Sequence, residues 1–242
     1  TYVANQTAAD ALDVGDEAVD YFNYTVSDGD ATDIAVISIK VLGINDTPTA
    51  QNDVGVIVED GTLTVANSAN ANVSGSFDAT GEHSGDVINT SWTGTDSDVD
   101  GDTLTVSAVR LGSTEGSGTA GTVGQALTGT YGQLTLNANG SYTYVANQAA
   151  AEALDDGESA WDYFNYTVSD GTDTDNGRID IKVLGINDAP VGRNDEGVIA
   201  EGSTLTVANS ANANETNDSG TTYNATGEHT GDVLDTSLAT SE

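Results

Sequence analysis

The chain has 242 residues, with 39 Asp or Glu against 5 Lys or Arg and a formal net charge of −34. That balance excludes nucleic acid as a partner, because phosphate binding works through cationic side chains that displace counterions. The absence of cysteine excludes disulfides and thiolate metal sites, and no apolar run approaches the roughly 18 residues of a membrane span. Such a charge opposes compaction and is relieved by bound divalent cations or a halophilic medium, so an extracellular chain stabilised by metal rather than cross-links is expected.

Self-comparison sets the organisation. Residues 21–29, Tyr-Phe-Asn-Tyr-Thr-Val-Ser-Asp-Gly, recur letter for letter at 163–171, an offset of 142 (163 − 21). The same offset carries residues 39–46 onto 181–188 and residues 62–72 onto 204–214, after which four extra residues separate His83 from its counterpart His229. A period this long is a domain rather than a solenoid turn. The reading is a tail of a preceding repeat at 1–48, a complete repeat at 49–190 and the head of a following repeat at 191–242.

Within the complete repeat, short strand signals alternate with Gly, Asn, Asp and Ser clusters. Strands are expected at 55–58 and 62–66, then a polar surface excursion over 69–82. After an acidic loop come strands at 104–111, a glycine-rich loop at 112–124, and strands at 132–137 and 142–145 joined through Asn139-Gly140, a hairpin signal. Residues 148–154 are alanine-rich and expected to make one or two helical turns. Strands at 163–169 and 178–184 place Phe164, Tyr166 and Val168 on one face and Ile179, Ile181 and Val183 on another. About eight strands without a long helix indicate an all-β fold, a Greek-key β-sandwich of the Ig or cadherin type repeated head to tail. Trp161, Phe164, Tyr166, Tyr142 and Tyr144 are expected in the core or at its rim.

The acidic loop carries Asp96, Asp98, Asp100 and Asp102 on alternate positions, with Gly101 where the chain must turn. Alternate carboxylates in a loop converge only around a hard cation, and oxygen ligands of this kind suit Ca2+. It is not an EF-hand: the twelfth position from Asp96 is Ser107 rather than a bidentate glutamate, and a strand pattern follows instead of a helix. His83 and His229, one per repeat beside acids in a polar loop, read as solvated rather than as zinc ligands. Asn-x-Ser/Thr sequons such as Asn23, Asn89, Asn165 and Asn224 matter only in a host that glycosylates.

Three stretches together resemble the VCBS repeat: residues 132–144, the Phe-Asn-Tyr-Thr-Val-Ser-Asp-Gly of 164–171, and the closing Gly-Ile-Asn-Asp-Ala-Pro of 185–190. Repeats of that family occur in tandem in very large secreted bacterial adhesins, often beside cadherin-like and RTX repeats. The Asn-Asp-x-Pro closure is also similar to the linker of cadherin-like domains, where an Asn-Asp pair shares calcium with an early glutamate and an Asp-x-Asp loop. By position, the resemblance places Asn45 and Asp46 at one joint and Asn187 and Asp188 at the next, with Glu59 and Glu201 as early glutamates and the 96–102 loop as the Asp-x-Asp element. The Asp-Arg-Glu element of cadherins is missing, and Asp28 and Asp170, in Ser-Asp-Gly, stand as substitutes or as simple turn residues.

The resemblance implies a calcium-binding structural and adhesive module of an extracellular stalk, filament or sheath. The chain is not expected to be an enzyme: it lacks the nucleophile-elbow, zincin and phosphate-loop motifs, and its acids fall on loops and joints of a repeated unit rather than in one pocket. The alternative is a carbohydrate-binding module with Trp92 or Trp161 as a platform for surface glycans. Because residues 1–48 and 191–242 each carry only part of a sandwich, neighbouring repeats or subunits are expected to complete them, by continuation of the chain or by strand complementation.

Overall fold

The computed structural model describes residues 1–73, 75–89, 94–190, 192, 194 and 197–207. It separates into two units, Thr1–Asp188 and Ala189–Glu242. In the second, the described residues include a turn in which Ser203 N–H donates to the Ala200 carbonyl at 3.1 Å. Trp92, Asn224, His229 and the rest of 208–242 lie outside the described residues.

The first unit opens with one helical turn, α1 (Thr7–Asp10), and a long hairpin, β1 (Glu17–Ser27) and β2 (Thr32–Leu42). Nine strands follow: β3 (Asp53–Val58), β4 (Thr62–Val65), β5 (Thr105–Leu111), β6 (Thr119–Ala120), β7 (Ala126–Thr128), β8 (Gln133–Leu136), β9 (Tyr142–Val145), β10 (Ser159–Ser169) and β11 (Thr174–Leu184). They form a five-stranded sheet in the order β3-β11-β10-β5-β6 and a four-stranded sheet in the order β4-β9-β8-β7. Every pairing is antiparallel except β3 with β11, where the first strand of the repeat lies parallel to the last.

Alternation along the strands decides what is buried. Phe164, Tyr166 and Val168 of β10 and Ile179, Ile181 and Val183 of β11 point inward at 1% exposure or less. They meet Leu134, Leu136, Tyr142 and Tyr144 of the facing sheet, with the Tyr144 and Phe164 rings edge to face at 6.2 Å. Each such side chain contributes about 1.5–3 kcal/mol on burial. The sheets approach closely at Gly55, where a Cβ would stand 2.7 Å from Leu63 and 2.9 Å from Ile181. The Asn139-Gly140 turn forms as expected, with Gly140 at φ +86°.

Polar groups inside the sandwich are held by named partners. Asp162 points inward from β10 and accepts from the Thr130, Tyr131 and Gly132 N–H groups and from the Tyr144 hydroxyl at 2.6 Å, fixing the loop between β7 and β8. At the other end, the Tyr166 hydroxyl stands within hydrogen-bond distance of the Gln51 and Val87 carbonyls and of Asp53 and Asp96. One O–H donates once, so only one of these four acceptors takes the tyrosine proton at a time. Burial, followed by the charges of Asp96 and Asp86, raises Asp53 well above the usual carboxylate range, and burial with the charges of Asp175 and Asp86 pushes Asp96 up to about 7.

Four expectations are corrected. Trp161 is 37% exposed on the outer face of β10 rather than in the core. The repeat has nine strands, because the short β6 and β7 add to those read from the sequence. The alanine-rich stretch at 148–154 forms turns, and a helical turn appears only in its counterpart, α1. The excursion after β4 is not merely surface: Val56 N–H donates to Glu82 O at 2.8 Å and Gly81 N–H to Val56 O at 2.7 Å, so the returning chain covers the free edge of β3 before Val87 and Ile88 enter the core.

Candidate metal centre

Acids at 10–46 and at 98–173 approach one another where the hairpin meets the sandwich. Pro48 fixes its own backbone angle and biases Thr47 toward extended geometry, and Thr49 bridges to Ser97, which draws the linker against the acidic loop. Asp46 N–H then donates to Asp100 Oδ2 at 2.8 Å, and the Asn45 amide donates to Asp170 Oδ2 at 3.2 Å and Asp173 Oδ2 at 3.0 Å. The loop holds its own shape through Asp98 Oδ1, which accepts from Asp100 N–H at 2.9 Å. Asp10, Asp46, Thr47, Thr49, Ser97, Asp98 and Val99 line a cavity of about 530 Å³.

This arrangement leaves negative charge without a counterpart. Asp98 Oδ2 and Asp100 Oδ1 are buried oxygens with no hydrogen-bond partner among the described residues. Desolvation, followed by the charges of Asp100, Asp10 and Asp98, raises the Asp46 carboxyl above its ordinary value. Asp102 is raised by desolvation and then by Asp13, Asp98, Asp170 and Asp100. Orphaned carboxylate oxygens among like charges fit a hard divalent cation, which takes six to eight oxygen ligands from carboxylates, amide and backbone carbonyls. Among the described residues, no three carboxylate or imidazole side chains stand close enough together to hold a metal ion by themselves.

The second joint repeats the chemistry from the other side. Glu59 is 1% exposed; its Oε1 accepts from Ile186 N–H at 2.5 Å, while Oε2 has no partner. The Glu152 carboxyl is raised by its hydrogen bond to Asp60 and by the charges of Asp60, Asp188 and Glu59. The Asn187 amide donates to the Asp188 carbonyl at 2.9 Å, as Asn45 does to Asp46 at 2.9 Å. Asn45 and Asp46 are half-buried against the sandwich, whereas Asn187 and Asp188 are exposed.

The positions named from the sequence therefore divide. Asp98, Asp100 and Asp102 gather with Asn45, Asp46 and Asp170 at the first joint, and Glu59 stands with Asp188 near the second. Asp96 departs from the group: its carboxyl turns inward to Gln51 N–H at 2.7 Å and to Tyr166. Asp28 closes its own turn by accepting from the Asp30 and Ala31 N–H groups, which holds its carboxyl below the ordinary value. Asp170 makes the same turn with one oxygen and reaches Asn45 with the other. Glu201 lies exposed in the second unit. His83 sits on the chain that covers β3, its Nδ1 accepting from Gly85 N–H, and desolvation lowers its pKa.

Sequence reading missed Asp10, Asp13, Asp173, Asp60 and Glu152. One signal was present: Asp10 and Glu152 are counterparts at the 142-residue offset, an acid kept in an otherwise alanine-rich turn.

No curated protein matches the chain. Among solved structures, the endo-fucoidan hydrolase MfFcnA4 from glycoside hydrolase family 107 is similar at 17% identity over 72% of this chain, with a TM-score of 0.24. A variant of that hydrolase is similar at 16% identity with the same TM-score of 0.24. This chain spans 19% of the length of either. The family model for the bacterial cadherin-like domain matches residues 45–185, which run from Asn45 of the first joint to the end of the last strand, and the chain thus belongs to the bacterial cadherin-like domain family.

Proposed function

We propose that this chain is a calcium-stiffened structural and adhesive segment of a long extracellular stalk, filament or sheath, built of VCBS-type repeats like those of large secreted RTX-type adhesins. It works without catalysis. The observation that supports this most strongly is the Asp46 to Asp100 contact, which joins the linker of one repeat to the acidic loop of the next beside two orphaned carboxylate oxygens. Asn45, Asp46, Asp98, Asp100, Asp102 and Asp170 would hold Ca2+ at this joint, with Asp10 supplying further charge. Asn187, Asp188, Glu59 and Glu152 are the corresponding half of the next joint. Bound calcium supplies the positive charge that lets two acidic modules approach and fixes the angle between them.

Neighbouring repeats or subunits of the same protein are the partners in this reading. The hairpin β1–β2 has the register of β10–β11, residue for residue at the 142 offset, and among the described residues no strand pairs with either edge. A strand with the chemistry of β3 completes it, by continuation of the chain or by complementation from another subunit. Small-angle scattering of the full chain tests the joint: the maximum dimension is expected to differ between millimolar calcium and chelator, and Asp46→Ala is expected to abolish the difference. Identical profiles in both buffers would refute the stiffening role.

A further inference from the structure

The two copies of the hairpin differ in a pattern. On the inward face, Phe22, Tyr24, Val26, Ile37, Ile39 and Val41 are matched identically by Phe164, Tyr166, Val168, Ile179, Ile181 and Val183. On the outward face Val19 is replaced by Trp161, Val36 by Arg178 and Ser38 by Asp180, while Tyr21, Asn23, Thr25 and Lys40 are kept as Tyr163, Asn165, Thr167 and Lys182. The fold does not require the new residues, since the other copy forms the same register without them.

Trp161, Tyr163, Arg178 and Asp180 border one open cleft of about 500 Å³ together with Ser113. Trp161 and Tyr163, 37% and 38% exposed, line it as a stacked pair, with ring planes 16° apart and centroids separated by 6.4 Å. Beside them, Arg178 Nε and Nη2 donate to the two oxygens of Asp180 at 2.7 and 2.9 Å. That bidentate pair fixes both groups and still leaves three guanidinium N–H donors and carboxylate lone pairs for another molecule. The wall carrying Ser113 is held rigidly, because the buried Asn165 accepts from Gly116 N–H and donates to the Gly112 and Ser117 carbonyls, each at 3.0 Å.

We propose that this cleft on the outer face of β10 and β11 binds a neutral polysaccharide, with a pyranose ring laid on Trp161 and Tyr163 and its hydroxyls bonded to Arg178, Asp180 and Ser113. A pyranose has an apolar face of C–H groups and a rim of hydroxyls, which matches an aromatic pair beside a fixed donor and acceptor. A purely apolar ligand would leave the Arg178–Asp180 pair unused at its edge. Polyanions, whether nucleic acid or acidic glycan, are repelled by the net charge of −34. The site is distinct from the joints and does not depend on calcium there.

The test is affinity electrophoresis of the full chain through gels containing soluble galactomannan, xyloglucan or mixed-linkage β-glucan, with alginate as a polyanionic control. At least one neutral polysaccharide is expected to retard the protein. Trp161→Val, which installs the residue of the other repeat, is expected to weaken the retardation at least tenfold with an unchanged melting curve. The double variant Arg178→Val/Asp180→Ser, likewise taken from the other repeat, is expected to weaken it with the aromatic pair intact. Absence of retardation by every neutral polysaccharide, retardation by alginate alone, or equal retardation of the Trp161→Val protein would overturn the proposal.

Discussion

Phe22 and Phe164 occupy the same place in two copies of one hairpin, yet Phe164 is 0% exposed between two sheets and Phe22 is 46% exposed. The environment, not the residue, sets its energetic worth. Phe164→Ala is expected to destabilise the chain by about 3–5 kcal/mol, the usual cost of emptying an aromatic core position. Phe22→Ala is expected to change stability by under about 0.5 kcal/mol, as for a surface site. Urea denaturation followed by near-ultraviolet circular dichroism measures both, and equal losses would show that the first hairpin is packed as the second is.

The Asp53–Asp96–Tyr166 cluster gives a pH dependence of definite sign. Both carboxyls are raised in the folded state, so the native protein binds more protons than the unfolded chain between the ordinary carboxylate range and about pH 7. The Asp96 contribution is full below about pH 4 and is lost as pH rises through about 7, on the order of 4 kcal/mol for a shift of this size, and the Asp53 contribution has the same sign. Melting temperature in chelator is therefore expected to fall from pH 5 to pH 8, and Asp96→Asn is expected to flatten the slope. Chelator matters, because the calcium binding proposed for ionised acids at the joints would run in the opposite direction.

Asp162 is a buried acid with four donors aimed at it. Asp162→Ala leaves three N–H groups and the Tyr144 hydroxyl without their acceptor and is expected to cost at least about 3 kcal/mol. Tyr142 carries a buried hydroxyl with no partner, so Tyr142→Phe is expected to leave stability unchanged or raise it by about 1 kcal/mol. Thermal unfolding of the two variants side by side checks the pair, and a large loss for Tyr142→Phe would contradict it.

What could be read without coordinates was what depends on local pattern. The parity of Phe164, Tyr166 and Val168 placed the inner face, and the Asn139-Gly140 pair placed a turn. Trp161 was misplaced because its aromatic character was weighed above its parity: it is three positions from Phe164 and so faces the other way. The three-residue strand β7 escaped because only its half-buried Leu127 carries a pattern. Asp96 shares spacing with Asp98, Asp100 and Asp102, but what takes it out of the group is Tyr166, 70 residues away. Asp10 and Asp13 reach the joint only through the hairpin's docking, which no local spacing records.

If the joint acids hold calcium, thermal melting of the full chain in millimolar calcium and in chelator registers the bound ion. At 100 times the dissociation constant, one site adds about 2.7 kcal/mol, so a clear upward shift in Tm is expected in calcium. Asp100→Ala, which removes the partner of Asp46 N–H and one of the orphaned oxygens, is expected to reduce that shift. Equal melting temperatures in calcium and chelator for the unaltered chain would contradict the account.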